Sequence, residues 1–320
     1  MAEPRYDVTS LGEMLLRLSV PAGMRLEGAT KLELHAAGAE ANVISLLARL
    51  ERNTCWFGAL PDNPLGGIGA NALRIAGVDT RGIIWAKQGR MGAYYVEFGI
   101  PPRGTQVIYD RAHSGASEMQ VHDVNWNALL DTRLIHLTGI TPALSPSCRD
   151  VIDEAISQAK QRGIPISFDV NYRSKLWSEN EAQEKLTPLI QSVEILFCSL
   201  HDATRLFKCS GTAKEIAYQM LERSQAKYMV MTSGENGALL WNGSEWLHEP
   251  SRATQIIDRL GAGDALAAGV IHGWLDGNIA QGLRYGSTLA ALALTQHGDM
   301  VITNKAELNE LSKSDSALMR

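Results

Sequence analysis

Apolar positions along the chain follow two different rhythms. From about residue 133 onward, short apolar runs alternate with segments of helical period. Residues 134–137, 165–170, 194–198, 228–232 and 237–241 read as strands. Residues 145–161, 179–191, 213–223, 263–275 and 279–296 read as helices, the first with Val151, Ile152, Ala155, Ile156 and Ala159 on one face. Strands alternating with helices predict a mostly parallel sheet covered on both faces. In such sheets ligands bind beyond the carboxyl ends of the strands.

The first third is more mixed. Residues 6–11 and 54–59 read as strands, and residues 40–49 and 65–76 as helices. Residues 14–20 and 32–37 read as further strands. From 81 to 110 three β-rich runs, Ile83-Ile84-Trp85, residues 93–98 and residues 105–109, are broken by Gly89, Gly92, Gly99, Gly104 and Pro101-Pro102, with no helix between them. This predicts a small accessory antiparallel sheet. No repeat or low-complexity linker interrupts the chain, so residues 1–320 are expected to form one α/β domain. Its inserted lid comes from about 13–37 and 82–112.

Composition narrows the function classes. The chain has 320 residues, 45% hydrophobic and 20% charged, as expected for a soluble globular protein. A net charge of −5 gives no basic field for nucleic acid or an anionic membrane surface. No apolar run is long enough to span a bilayer, and Met1-Ala2-Glu3-Pro4-Arg5 lacks a signal-peptide pattern, so a cytoplasmic location is expected. Cys55, Cys148, Cys198 and Cys209 have no metal-ligand spacing and read as reduced, buried thiols. Asn242-Gly243-Ser244 reads as a turn.

Polar residues gather at the ends of predicted strands: Asp169-Val170-Asn171-Tyr172-Arg173, Ser199-Leu200-His201-Asp202, Thr232-Ser233-Gly234-Glu235-Asn236-Gly237 and Asp258-Arg259-Leu260-Gly261-Ala262-Gly263-Asp264. Each alone reads equally as a cap or turn. Four on successive strands point to a binding edge. In the last, two glycines expose the backbone N–H groups that open a helix, an anion site backed by the helix dipole, and Asp264 stands in the first turn. There is no Gly-x-x-x-x-Gly-Lys-Ser/Thr and no Gly-x-Ser-x-Gly string, so neither a P-loop nor a nucleophile elbow is present.

Gly261-Ala262-Gly263-Asp264 and Gly38-Ala39-Glu40-Ala41-Asn42 resemble the two signatures of PfkB-type carbohydrate kinases of the ribokinase-like fold, and the resemblance covers nearly the whole chain. Residues 137–145, the run FDVNYRSKLW from Phe168, Tyr109-Asp110-Arg111 and His297-Gly298-Asp299 are similar to 2-keto-3-deoxygluconate kinases.

The resemblance implies ATP-dependent phosphorylation of that sugar acid. Asp264 would be the general base, and the N–H groups of Gly261, Ala262 and Gly263 would hold the phosphoryl charge. Gly38, Asn42, Tyr94, Tyr109, Arg111, Arg173 and Asp299 would hold the sugar acid. Asn171, Ser199, Thr232, Gly234, Gly237 and Ser287 would line the ATP site. Mg²⁺ would ride on the phosphates, with no direct ligand assigned and Asp202 marking its vicinity. Two arginines suit a carboxylate-bearing substrate, against the alternative of solvated surface charges. The tyrosines read equally as packing of the accessory sheet.

Another sugar, such as fructose, ribose or a related deoxy-keto acid, remains an alternative substrate. A catalytically silent sugar or nucleotide sensor is the alternative from another class. Arg259-Leu260 stand where many relatives carry threonines, and Ser199 and Asp202 where many carry Asn and Glu. The first departure leaves a K⁺ requirement open, and the second bears on a motif associated with Mg²⁺ and phosphate, leaving its metal role open. In relatives the accessory sheet pairs between subunits, which implies a homo-oligomer.

Overall fold

The computed structural model describes residues 3–253 and 255–313; Met1, Ala2 and the far end of the 1–320 span lie outside the described residues. Among the described residues, thirteen strands form two sheets. They are β1 (Tyr6–Leu11), β2 (Leu15–Val20), β3 (Glu33–Ala37), β4 (Thr54–Pro61), β5 (Ile83–Ala86), β6 (Gly92–Glu97), β7 (Gln106–Asp110), β8 (Thr132–Thr138), β9 (Ile166–Asp169), β10 (Ile195–Ser199), β11 (Tyr228–Thr232), β12 (Ala238–Trp241) and β13 (Trp246–Glu249). The main sheet runs β13-β12-β11-β10-β9-β8-β1-β4-β5. It is parallel from β11 to β5, with β12 and β13 added antiparallel.

Strands in the middle of this sheet are buried on both faces and carry few polar residues. Every residue of β4, Thr-Cys-Trp-Phe-Gly-Ala-Leu-Pro, is buried. One apolar layer contains the helices Pro146–Gln161 and Ala213–Ser224. The other contains Ala39–Arg49, Pro64–Ala76, Ala262–Leu275 and Ile279–Leu294. The predicted α/β architecture is therefore present. All four cysteines are buried and unpaired. No helix among the described residues is long and apolar enough to cross a membrane.

The helix Ala262–Leu275 is buried all round from Ala265 to Gly273, which explains its lack of a polar stripe. It packs on Ile279–Leu294 through glycines. A Cβ on Gly269 would come within 2.3 Å of the Gly286 N, and one on Gly273 within 2.3 Å of the Gly282 Cα. This close seat fixes where the helix begins.

The second sheet has the order β3-β2-β6-β7. Its two outer pairs are antiparallel, and the pair that joins them, β2–β6, runs parallel. The parallel pair arises because the chain leaves after β3, builds β4 and β5 in the main sheet, and returns. Ile83-Ile84-Trp85, expected in the accessory sheet, belongs instead to β5 and pairs with β4 at the edge of the main sheet. The helix Pro64–Ala76 makes the crossover that brings it there. The accessory sheet's own strands thus span β2–β3 and β6–β7.

The Asn242 turn is present: its side chain accepts the N–H groups of Ser244 and Glu245, and the chain reverses into β13. The strand β13 and the helices Leu200–Arg205 and Lys305–Lys313 were not predicted.

Candidate active site

The helix Ala262–Leu275 begins at Gly261, whose φ of 84° is a left-handed conformation that glycine adopts without strain. A Cβ there would also lie 2.4 Å from the Asp299 carbonyl, so this turn is pressed against the segment around Asp299. The first-turn N–H groups have no carbonyl within the helix to bond and point to the carboxyl edge of the sheet. Asp264 is half-buried beside them. Its Oδ2 accepts the Asn42 side-chain amide at 2.7 Å, and Asn42 Oδ1 in turn accepts the Gly38 N–H at 3.3 Å. Gly38 is required by proximity: a Cβ there would come within 2.3 Å of the Glu13 carbonyl. The two glycine signatures, 222 residues apart at Asn42 and Asp264, therefore meet in one hydrogen bond.

Three cavities run in line along this edge. The middle one, of about 440 Å³, is lined by Asp169, Asn171, Arg173, Ser199, Asp202, Thr232, Gly261, Gly263 and Asp264, among others. A cavity of about 490 Å³ shares Arg173 with it and is lined by Tyr109, Arg111 and Lys175. A more apolar one of about 280 Å³ shares Thr232 and Gly263 with the middle cavity and is lined by Gly234, Gly237, Ala262 and Ser287. Most of the residues singled out in the sequence thus fall on one continuous groove. Gly38, Asn42, Tyr94 and Asp299 do not line these cavities, and Asn42, Tyr94 and Asp299 are buried behind them.

Charge is unevenly compensated along the groove. Burial raises the Asp264 carboxyl to about 7, against the bond from Asn42 and the Arg173 charge, which lower it; Asp299 and Glu40 raise it further. Asp169 rises to about 8, through burial first and then the charge of Asp264, with Arg173 lowering it and Asp202 raising it. Arg173 is exposed and forms no ion pair among the described residues. Arg111, by contrast, is buried and bonded to Glu13, whose other oxygen accepts from Ser114 at 3.1 Å. Its Nε has no partner. Tyr109 is half-buried between the Arg111 guanidinium, 5.2 Å from its ring, and Lys175, 5.7 Å away.

Ser199 caps the helix Leu200–Arg205 by accepting the Asp202 N–H at 2.9 Å, and the Ser287 hydroxyl donates to the Pro250 carbonyl at 2.8 Å. Asn171 takes φ 40°, with its N–H on Asp169 at 3.1 Å, a turn that an asparagine tolerates.

Two residues escaped the sequence reading. Lys175 adds a third cation, beside Arg111 and Arg173, to the cavity that Tyr109 lines, and its Nζ donates to the Val107 carbonyl of β7 at 2.5 Å. Arg17, on β2, is fully buried and bridges Asp258 and Asp299. An arginine inside an otherwise apolar strand is itself a signal, because arginine is almost never fully buried without a partner.

The family model of pfkB family carbohydrate kinases matches residues 6–306. A 2-dehydro-3-deoxygalactonokinase of Haloferax volcanii is 34% identical over 312 residues, 97% of this chain and 98% of that protein. A 2-dehydro-3-deoxygluconokinase of Bacillus subtilis is 27% identical over 92% of each chain. Among solved structures, the 2-dehydro-3-deoxygluconokinase of Thermotoga maritima superposes with a TM-score of 0.88 at 30% identity, covering 96% of this chain and 98% of its own. Groove, paired signatures and fold agree with this match, and the chain belongs to the PfkB family of carbohydrate kinases, as a phosphotransferase close to the kinases of 2-keto-3-deoxy sugar acids.

Proposed function

We propose that the protein transfers the γ-phosphoryl group of ATP to the terminal hydroxyl of a 2-keto-3-deoxy sugar acid, 2-keto-3-deoxygluconate first, giving the 6-phosphate. The observation that carries this reading is the Asn42–Asp264 bond at the floor of a groove whose two ends differ in character. One end is cationic, with Arg173, Lys175 and Arg111, and the other is more apolar. A carboxylate-bearing sugar fits the first and a nucleoside the second.

Asp264 takes the proton from the attacking hydroxyl, and Asn42 holds its carboxylate at the angle that requires. The N–H groups of Gly261, Ala262 and Gly263 meet the charge on the transferring phosphoryl group. Arg173, shared by the sugar and phosphoryl cavities, is the free guanidinium for the substrate carboxylate or the phosphoryl oxygens. Arg111, paired with Glu13, packs its guanidinium against the Tyr109 ring at the wall of the same cavity.

Asn171, Ser199, Thr232, Gly234, Gly237 and Ser287 surround the nucleotide. The mutually repelling carboxylates Asp169 and Asp202 suit Mg²⁺ carried on the phosphates, and the ion would neutralise charge there. The four-stranded sheet serves as the lid that excludes water, and it is the surface through which a homo-oligomer would form.

A second reading within this class is favoured by one observation. The Haloferax volcanii relative, at 34% identity, is named for the galacto epimer. ATP-dependent turnover of both epimeric keto acids, gluconate, fructose and ribose tests the proposal. Keto acids are expected to exceed the neutral sugars in kcat/KM by at least about 100-fold, the scale of losing a charged contact in a desolvated site. Strong turnover of neutral sugars with none of keto acids overturns it.

A further inference from the structure

The accessory sheet and the turn before the catalytic helix meet at one buried guanidinium. Arg17 sits mid-strand in β2, and its Nη2 donates to Asp258 Oδ2 at 2.5 Å and its Nη1 to Asp299 Oδ1 at 2.7 Å. The ring of Phe98 lies 5.2 Å from the guanidinium carbon. Each carboxylate passes the contact on. Asp258 Oδ1 accepts the Leu260 N–H at 3.0 Å, one residue before Gly261, and its Oδ2 accepts the Gly298 N–H at 3.3 Å. Asp299 Oδ2 accepts the Tyr94 hydroxyl at 2.6 Å, and the Asp299 carbonyl is what presses on Gly261.

Stability alone is a poor reason for such a group. Burying an arginine and two carboxylates costs desolvation that well-packed apolar side chains avoid, and replacing such a triad is often neutral or stabilising. What the triad supplies is geometry. It reaches from the accessory sheet to residues 241 and 282 positions away and fixes both sides of the Gly261 turn.

We propose that Arg17 is a positioning residue for phosphoryl transfer. It locks β2 onto the turn that presents the N–H groups of Gly261, Ala262 and Gly263 and onto the Asp299–Tyr94 pair, so the anion loop takes its working geometry only with the accessory sheet in place. The sugar-side half of this statement rests on the proposed function above. Arg17 touches neither the groove nor Asp264, and it acts through Asp258 and Asp299.

The test compares Arg17→Met, Arg17→Lys and the charge-balanced double variant Arg17→Met/Asp258→Asn. Steady-state kinetics use the sugar that the wild type turns over best, alongside thermal melting. In Arg17→Met, kcat is expected to fall by at least ~30-fold and the sugar KM to rise several-fold, with the ATP KM within about twofold, because small misplacements of an aligned site cost one to two orders of magnitude. Arg17→Lys regains part of the kcat. The double variant removes one of the two carboxylates left without the guanidinium and restores the wild-type net charge there, so its melting temperature returns toward the wild type while its kcat stays low.

If the double variant recovers kcat together with stability, Arg17 only neutralises charge and the proposal fails. Wild-type kinetics in Arg17→Met overturn it as well. Should Arg17→Met not fold, the double variant and Arg17→Lys decide. A wild type that prefers neutral sugars overturns the substrate assignment, while the ratio of variant to wild-type kcat still decides the role of Arg17.

Discussion

Two clusters of carboxylates lie on either side of the Gly261 turn; burial raises carboxyls in both, but the two are partnered differently. At the junction with the accessory sheet Asp258 and Asp299 are met by a buried guanidinium, a tyrosine hydroxyl and backbone N–H groups. In the middle cavity Asp169 and Asp264 face each other with one amide on Asp264 and one exposed arginine nearby, and both are pushed up to near neutral pH. The first cluster is locked, which suits a hinge between sheet and helix. The second is left short of positive charge, which suits a site that receives a proton and a metal-bound phosphate. The same side-chain type is thus held in one place and left open in the other, according to what partners it.

Breaking the open cluster should have the largest effect. Asp264→Asn is expected to lower kcat by at least ~100-fold, the usual scale for a removed general base, with sugar binding by calorimetry largely kept. The same variant should melt higher at pH 8. A carboxyl whose folded pKa is raised disfavours the folded state once it ionises, and the amide removes that cost. A kcat within threefold of the wild type would mean that another group takes the proton.

Removing the free guanidinium comes next. Arg173→Gln should raise the KM of a keto acid about 10- to 30-fold, or ~1.4–2 kcal/mol, and change that of a neutral sugar much less, the ordinary value of a charge-assisted bond. Equal losses on both substrates would assign Arg173 to the phosphoryl side alone.

At the locked cluster, loss of the tyrosine hydroxyl should be read first in stability. Tyr94→Phe leaves Asp299 Oδ2 without its hydroxyl donor, at a cost of about 1–3 kcal/mol, read as a fall of several degrees in melting temperature. An unchanged melting temperature would show that the junction tolerates an open carboxylate. The smallest effect concerns ions. Arg17 already sits on Asp258 at the Arg259-Leu260 corner, and constant ionic strength leaves screening unchanged, so replacing K⁺ by choline should change kcat by less than about twofold. A strict K⁺ requirement would put the cation elsewhere.

Much of this was legible in the chain because it is written locally. The αβ alternation after residue 133, the burial of β10 and β11, and the glycines before Asp264 all follow from short-range pattern. The family resemblance assigned both glycine signatures to one site, but the Asn42–Asp264 bond between them appears only in the fold. Other features depend on distant partners or on small differences. Nothing in Ile83-Ile84-Trp85 says which of two sheets it will join; the crossover helix before it decides. β13 is four residues long and follows a turn that fits an ordinary loop equally well. Lys305–Lys313 buries only Leu308 and Ser312, too few for a clear stripe. Arg17 stands out in β2 as a charge among mostly apolar residues, but its partners Asp258 and Asp299 lie 241 and 282 residues away and appear only in the fold.

The pH dependence of kcat/KM for the sugar tests most directly whether the open cluster does the chemistry. The base must be ionised to accept a proton, and burial raises Asp264 to about 7, so it is protonated and silent below that pH. The profile should hold a plateau near pH 8 and fall about tenfold per unit below about 7, as a single essential base requires, and this limb should be missing from the residual activity of Asp264→Asn. A wild-type profile that stays flat from pH 8 down to about 5, the range of an unperturbed carboxylate, would contradict the account.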